Sequence, residues 1–247
     1  MRFNVSKYLK YLDNINLGKN IEYIEETEST NDDLWDRIDN QEDYIIIADS
    51  QKRGRGRRGN SWYSVKQKSL TFSIGLKNNN IDNFIGLRVS LALCMAINKI
   101  SNINARIKWP NDIVVNNKKI SGILIESKIK KTMTTYNIGI GINVNLNVDE
   151  LNPNLKKNMS SIFIETNKIQ NRELLLSEFI KSLILTSDDD DIINNWMMYC
   201  SHINKQVTFH NGSKKISGTF LGLNLDGKAI MKNNTTLEYY STGTLEL

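Results

Sequence analysis

Two cysteines and two histidines in 247 residues remove several chemistries at once. Cys94 and Cys200 cannot build a disulfide framework, and Cys94 lies in an apolar helical run where a small core residue is expected. A reducing cytoplasm follows as the default setting. His202 and His210 are too few for a histidine metal cage or a Ser-His-Asp triad. No run of 18 apolar residues occurs, so no membrane helix is expected, and Met1 to Lys7 lacks the apolar stretch of a signal peptide. Acids crowd together at Asp188 to Asp191, where a solvated helix start accounts for them better than a metal site. Residues 1–20 hold one amphipathic piece (Val5, Tyr8, Leu9, Leu12), too little for a winged helix-turn-helix. DNA is therefore not an expected partner.

What is present is concentrated. Lys52, Arg53, Arg55, Arg57 and Arg58 fall within eight residues, spaced by Gly54, Gly56 and Gly59. Outside these five, Lys+Arg equals Asp+Glu at 27, so the formal charge of +5 is the charge of this loop. Like charge packed so closely is self-repulsive until an anion arrives. Glycines leave backbone N–H groups free to close around one. The loop is expected to close over phosphate rather than to mark a general nucleic-acid surface.

Upstream, Ile21 to Glu26 predicts a strand. Ser29-Thr30-Asn31 then opens a helix to about Ile38, with Ser29 or Thr30 at the N-cap. Those hydroxyls either cap the helix or hold a polar ligand group. Tyr44 to Ala48 predicts a strand buried on both faces, delivering the chain into the basic loop. Leu70 to Leu76 alternates as a strand with one face on the core. Phe84 to Ile100 predicts a helix. Arg106-Ile107-Lys108-Trp109-Pro110 places Lys108 near a strand end, where it is either solvated or presented to a pocket. Ile113 to Ile125 predicts a hairpin turning at Asn116-Asn117. Gly139, Gly141, Asn143 and Asn145 share one face of a strand whose other face is aliphatic. The bare glycines serve either sheet packing or a flat ligand lying on backbone. Ser160 to Glu165, Asn171 to Thr186 and Ile192 to Ile203 follow as helical pieces. Gln206 to Leu247 predicts short strands with turns at Asn211-Gly212, Asp226-Gly227 and Asn233-Asn234.

The ordered set Glu28-Ser29-Thr30-Asn31, Gln51, Gly54 to Gly59, Trp62, Lys108 to Asp112, Ser121 to Glu126 and Gly139 to Val144 resembles the biotin–protein ligases. The resemblance runs from about residue 5 to the end. It implies an α+β fold: a class II aminoacyl-tRNA-synthetase-like catalytic domain over 1–203, with a mixed sheet flanked by helices, and an SH3-like barrel over 204–247. It implies ATP-dependent joining of biotin, through biotinyl-5′-AMP, to a lysine of a biotin carboxyl carrier protein. Lys108 and Arg55 are implied as catalytic cations. Ser29, Thr30, Asn31, Gln51, Arg55, Gly56, Arg57, Lys108 and Gly122 are implied for biotin. Arg55, Arg57, Arg58, Trp62, Lys108 and Asn143 are implied for the nucleotide, with Asn143 at the adenine edge. Mg²⁺ is expected with ATP, its ligands unassigned. A homodimer through a sheet edge is open by analogy with the fold.

Two departures from that pattern stand out. The chain begins without the DNA-binding domain of the bifunctional repressors, and it ends at Thr244-Leu245-Glu246-Leu247 without a basic residue. Lipoate–protein ligase is the neighbouring alternative, but its Arg-Arg-x-Ser-Gly-Gly-Gly loop does not occur. A nucleic-acid binder and a biotin sensor without transfer activity are the others.

Overall fold

The computed structural model describes residues 1–211 and 214–246. The turn expected at Asn211-Gly212 lies outside the described residues. The elements in order are α1 (Val5–Leu12), β1 (Ile21–Thr27), α2 (Thr30–Arg37), β2 (Asp43–Gln51), β3 (Ser69–Asn78), α3 (Ile85–Ser101), β4 (Arg106–Lys108), β5 (Asp112–Val115), β6 (Lys118–Lys130) and β7 (Met133–Asn143). They continue with α4 (Ile162–Thr166), α5 (Arg172–Ser187), α6 (Ile192–Tyr199), β8 (Lys205–Asn211), β9 (Lys214–Leu223), β10 (Ala229–Asn233), β11 (Thr236–Tyr240) and β12 (Thr244–Glu246).

Seven strands form one mixed sheet in the order β1-β2-β3-β7-β6-β5-β4. β1 and β2 are parallel and the remaining neighbours antiparallel. One face carries the main core: Ile45 and Ile47 of β2, Phe72 of β3 and Ile138, Ile140 and Ile142 of β7 pack with α3 and α5. The other face meets α2, where Leu34, with Ile38 just past the helix, closes on Ile46. The apolar run of β2 is thus buried on both sides, as its continuity predicts. β3 departs from expectation. Its alternation predicts one covered face, yet Thr71 and Ser73 on the second face are buried as well. α2 and the loop after β2 cover them. Alternation reports polarity, and this second face is polar because it floors a cavity.

The β5–β6 hairpin turns at Asn116 and Asn117, both with positive φ, the geometry that asparagine tolerates at a tight two-residue turn. α5 starts where Asn171 accepts from the Leu174 N–H at 3.0 Å. Arg172 beside it forms a buried pair with Asp49 at 3.0 Å and fastens α5 to the end of β2. α6 stops at Tyr199, short of the expected Ile203. Cys94 is fully buried, as expected. Burial pushes both the Cys94 and the Cys200 thiols up to about 12, which suits packing rather than chemistry.

The last five strands form an antiparallel sheet, β11-β10-β9-β8-β12, of the small SH3-like kind. Trp109, just past β4, packs its ring 5.8 Å from that of Phe209 on β8, joining the two sheets.

Candidate active site

A cavity of about 140 Å³ lies between the second face of the large sheet, the start of α2 and the loop 52–64. Its floor is a single rung of the sheet. Cross-strand pairing aligns Ala48, Thr71, Gly141, Gly122, Asp112 and Lys108 from β2 to β4. Side chains on one rung face the same way, so the two glycines leave bare backbone at its centre.

That bare surface is occupied in this structure. A Cβ on Gly141 would lie 2.1 Å from Cε2 of Trp62, and one on Gly139 would lie 2.1 Å from Oδ1 of Asn31. The glycines let an indole and an amide rest directly on the strand. The close approach that the glycines permit is made here by the chain's own Trp62 and Asn31, not by a second sheet.

At the start of α2, Ser29 has the extended backbone of an N-cap, but its hydroxyl makes no capping bond. Thr30 donates through its backbone N–H (2.8 Å) and its hydroxyl (3.0 Å) to Oε1 of Gln51. Ser73 Oγ lies 2.7 Å from Thr30 Oγ1 and 2.6 Å from Asn31 Oδ1. Asn137 donates to the Asn31 carbonyl. These groups form one connected network whose rotors are mutually fixed. Ser73 and Asn137 were invisible as site residues because each reads only as a polar position in an alternating strand.

The basic loop corrects the expectation of unrelieved repulsion. It is folded on its own backbone: Trp62 N–H donates to Gly54 O (2.8 Å) and Gly56 N–H to Asn60 O (2.7 Å). Lys52 pairs with Glu26 (3.1 Å), Arg53 with Glu28 (2.6 Å), and Arg55 with Asp32 (2.8 Å) and Glu126 (2.9 Å). The chain's own carboxylates take the place of the anion for three of five cations. Arg57 donates instead to Asn111 Oδ1 (3.0 Å) and Thr242 Oγ1 (3.2 Å). Burial, and then Arg58, push its guanidinium below its usual value. Arg57 and Arg58 have no carboxylate partner among the described residues, so an anion entering the cavity meets them unneutralised.

Ser29, Thr30, Asn31, Gln51, Arg55, Gly56, Arg57, Arg58, Trp62 and Gly122 all line the cavity. Lys108 and Asn143 do not line it. Lys108 shares the floor's rung and pairs with Asp112 on the cavity wall, so it stands one strand beyond the lining. Asn143 is 1% exposed, and its amide donates to Ser160 O at 3.0 Å. Its Oδ1 is buried without a hydrogen-bond partner among the described residues. Trp62 Nε1 and Thr71 Oγ1, on the cavity wall, are in the same state. Buried polar atoms are ordinarily paired. An unpaired donor and an unpaired hydroxyl facing one cavity mark it as built for a polar ligand. Thr71 has no sequence signature beyond its place opposite Gly141.

Comparisons agree with this geometry. The chain is 26% identical to the bifunctional ligase/repressor BirA of Escherichia coli over 99% of its own length and 78% of that protein. It superposes on the Aquifex aeolicus biotin protein ligase in complex with biotin and ATP at a TM-score of 0.79, with 26% identity, covering 92% of this chain and 98% of that one. The Helicobacter pylori biotin acetyl coenzyme A carboxylase synthetase, at 20% identity and a TM-score of 0.65 over 89% of this chain and 99% of that one, shares the fold. Residues 22–143, from β1 through β7, match the biotin/lipoate A/B protein ligase family, and through them the chain belongs to that family.

Proposed function

We propose that this chain is a biotin–protein ligase: it activates biotin with ATP and transfers the acyl group to a lysine of a biotin carboxyl carrier protein. The observation that carries the reading is the cavity itself. A fixed network of Thr30, Asn31, Gln51 and Ser73 lies at one end, Trp62 rests on the glycine floor, and Arg55, Arg57 and Arg58 stand at the rim. A neutral ureido group needs matched donors and acceptors, since each buried group left unpaired costs about 1–3 kcal/mol. Ser29, Thr30, Asn31 and Gln51 meet that need. The acyl chain then runs along the edge of the Trp62 indole, which itself covers Gly141, toward the arginines of the rim.

In the first step a carboxylate oxygen attacks the α-phosphorus, the bond to the bridging oxygen breaks, and pyrophosphate leaves. In the second, an amine attacks the acyl carbon and AMP leaves with the electrons of the broken C–O bond. Two anions must approach in the first step, so fixed cations aimed at the developing charge carry most of the acceleration. Arg55, Arg57 and Arg58 supply them at the rim. Lys108, paired with Asp112 of the cavity wall, is the further cation of this reading. The residues present do not build a cage for Mg²⁺. No cluster of three or more His, Cys, Asp or Glu occurs among the described residues, and Asp112, the carboxylate on the cavity wall, is paired with Lys119. The metal belongs with the phosphates of ATP.

Residues 204–246 are taken as a separate small domain, fixed to the catalytic part through Trp109 and Phe209. A homodimer and the absence of DNA binding belong to the same reading. The test is incubation with ATP, labelled biotin and a carboxyl carrier domain. Label on the acceptor lysine is expected. Label released as adenylate with none transferred would point to a sensor, and no adenylate at all would overturn the reading.

A further inference from the structure

Glu126, on β6, stands behind the polar end of the cavity without lining it. Four N–H groups converge on its carboxylate. Arg55 forks onto it, Nη1 reaching Oε1 at 2.9 Å and Nη2 reaching Oε2 at 3.1 Å. From α2, Asn31 Nδ2 and Trp35 Nε1 donate to Oε2 at 3.2 and 3.4 Å. A carboxylate only accepts, so the Asn31 amide must turn its NH2 toward Glu126. Its Oδ1 is thereby aimed at Ser73. Asn137, paired with Glu126 across β6 and β7, holds the same residue from its backbone carbonyl at 2.7 Å. Glu126 and its partners therefore decide which atom Asn31 shows to the rest of the network.

The hydrogens of that network can then be counted. Asn31 Oδ1, Ser73 Oγ, Thr30 Oγ1 and Gln51 Oε1 stand in a row, separated by 2.6, 2.7 and 3.0 Å. The backbone N–H of Thr30 keeps the Gln51 oxygen in the row by donating to it at 2.8 Å. Three contacts need three hydrogens, and the two hydroxyls supply only two. With Ser73 donating to Asn31 and Thr30 to Gln51, the contact between Ser73 and Thr30 is empty. A ligand N–H reaching Gln51 Oε1 would free the Thr30 hydrogen to turn to Ser73, completing the row. Without Glu126, Asn31 could turn its NH2 to Ser73 and complete the row from the other end, with no ligand present. We propose that Glu126 is a positioning residue: by orienting Asn31 it leaves the network one hydrogen short, and the site selects a ligand that donates an N–H. The inference rests on the ligase reading and deepens it, since the ureido ring of biotin carries that N–H.

Calorimetry on the whole chain compares biotin with its cyclic carbonate analogue, in which oxygen replaces each ureido N–H. The unmodified chain is expected to favour biotin at least about tenfold, the size of one buried group left unpaired. In Glu126→Leu the Asn31 amide is released and the ratio falls to about threefold or less. Glu126→Gln keeps an oxygen for Asn31 and Trp35 while giving up the fork to Arg55, so the ratio persists even where both ligands bind more weakly. Ser73→Ala breaks the row at a residue that touches neither Glu126 nor Arg55. It narrows the ratio as Glu126→Leu does, and it decides the matter should the leucine variant fail to fold. An unchanged ratio in Glu126→Leu or in Ser73→Ala overturns the inference. An equal loss in Glu126→Gln overturns it too, because the preference would then belong to the Arg55 pair. If the unmodified chain binds biotin no better than the carbonate, the inference fails and the ligase reading stands. If it binds neither, the ligase reading itself fails and the inference falls with it.

Discussion

Replacing Gly141 by alanine separates the cavity from the fold. The added Cβ would lie 2.1 Å from Cε2 and 2.4 Å from Nε1 of Trp62, where ordinary carbon contacts begin near 3.5 Å. The shortfall of about 1.4 Å cannot be absorbed by β7, which is held between Thr71 of β3 and Gly122 of β6. Trp62 must yield. The backbone of Gly141 has no positive φ, so alanine suits the strand and contributes about 0.5–1 kcal/mol there. Displacing a half-buried indole costs about 1–2 kcal/mol, less than the full burial of a large side chain. The two nearly cancel, and the melting temperature shifts by no more than about 4 °C. The ligand loses its cover, and biotin affinity falls about tenfold to thirtyfold. Trypsin cuts faster at Arg57 and Arg58. Calorimetry, thermal melting and timed proteolysis read the three effects. The decisive comparison is the double-mutant cycle with Trp62→Ala. With the ring gone the alanine has nothing to strike, so Gly141→Ala adds no further loss. Additive losses, or wild-type affinity in Gly141→Ala alone, would refute the steric account.

Thr71→Val removes a buried hydroxyl that has no partner among the described residues. Stability is expected to stay level or rise by up to about 1 kcal/mol while ligand affinity falls about tenfold, and equal affinity for the two proteins would show that the hydroxyl meets no ligand. His202 supplies a pH dependence: burial, then Lys108 and Lys205, push it down from 6.5 to about 3. The unfolded chain takes up that proton near pH 6.5 and the folded chain only near 3. Stability from this group is therefore complete above pH 6.5 and declines as pH falls, by about 2 kcal/mol at pH 5. Denaturant melts at pH 7 and pH 5 should differ less in His202→Gln than in the parent, and an unchanged difference would remove His202 as the cause.

Much of the site was legible because it is written in contiguous residues. Ser29 to Asn31 sit at a helix start, Gln51 to Trp62 follow a strand, and Gly139 to Asn143 alternate. Each local pattern groups its side chains, and nine of the site residues in the first two stretches, with Gly139 and Gly141 of the third, meet in one cavity. The charge surplus was equally plain. Its consequence was not, because the carboxylates that pair with it are scattered at Glu26, Glu28, Asp32 and Glu126, on elements that only folding brings alongside.

While the α+β class followed from the family resemblance, composition and periodicity determined that β2 is covered on both sides and that a glycine-spaced cationic loop follows it. These are properties of a segment and its immediate neighbours. Tertiary structure decided the matters that depend on register between distant strands. Pairing set Lys108 at the far end of the floor and drew Thr71 opposite Gly141, while a single extra residue at Ile120 turned Lys119 inward. A side chain's face is settled by local alternation, but its neighbours are settled by pairing, and one bulge is enough to reverse what alternation predicts.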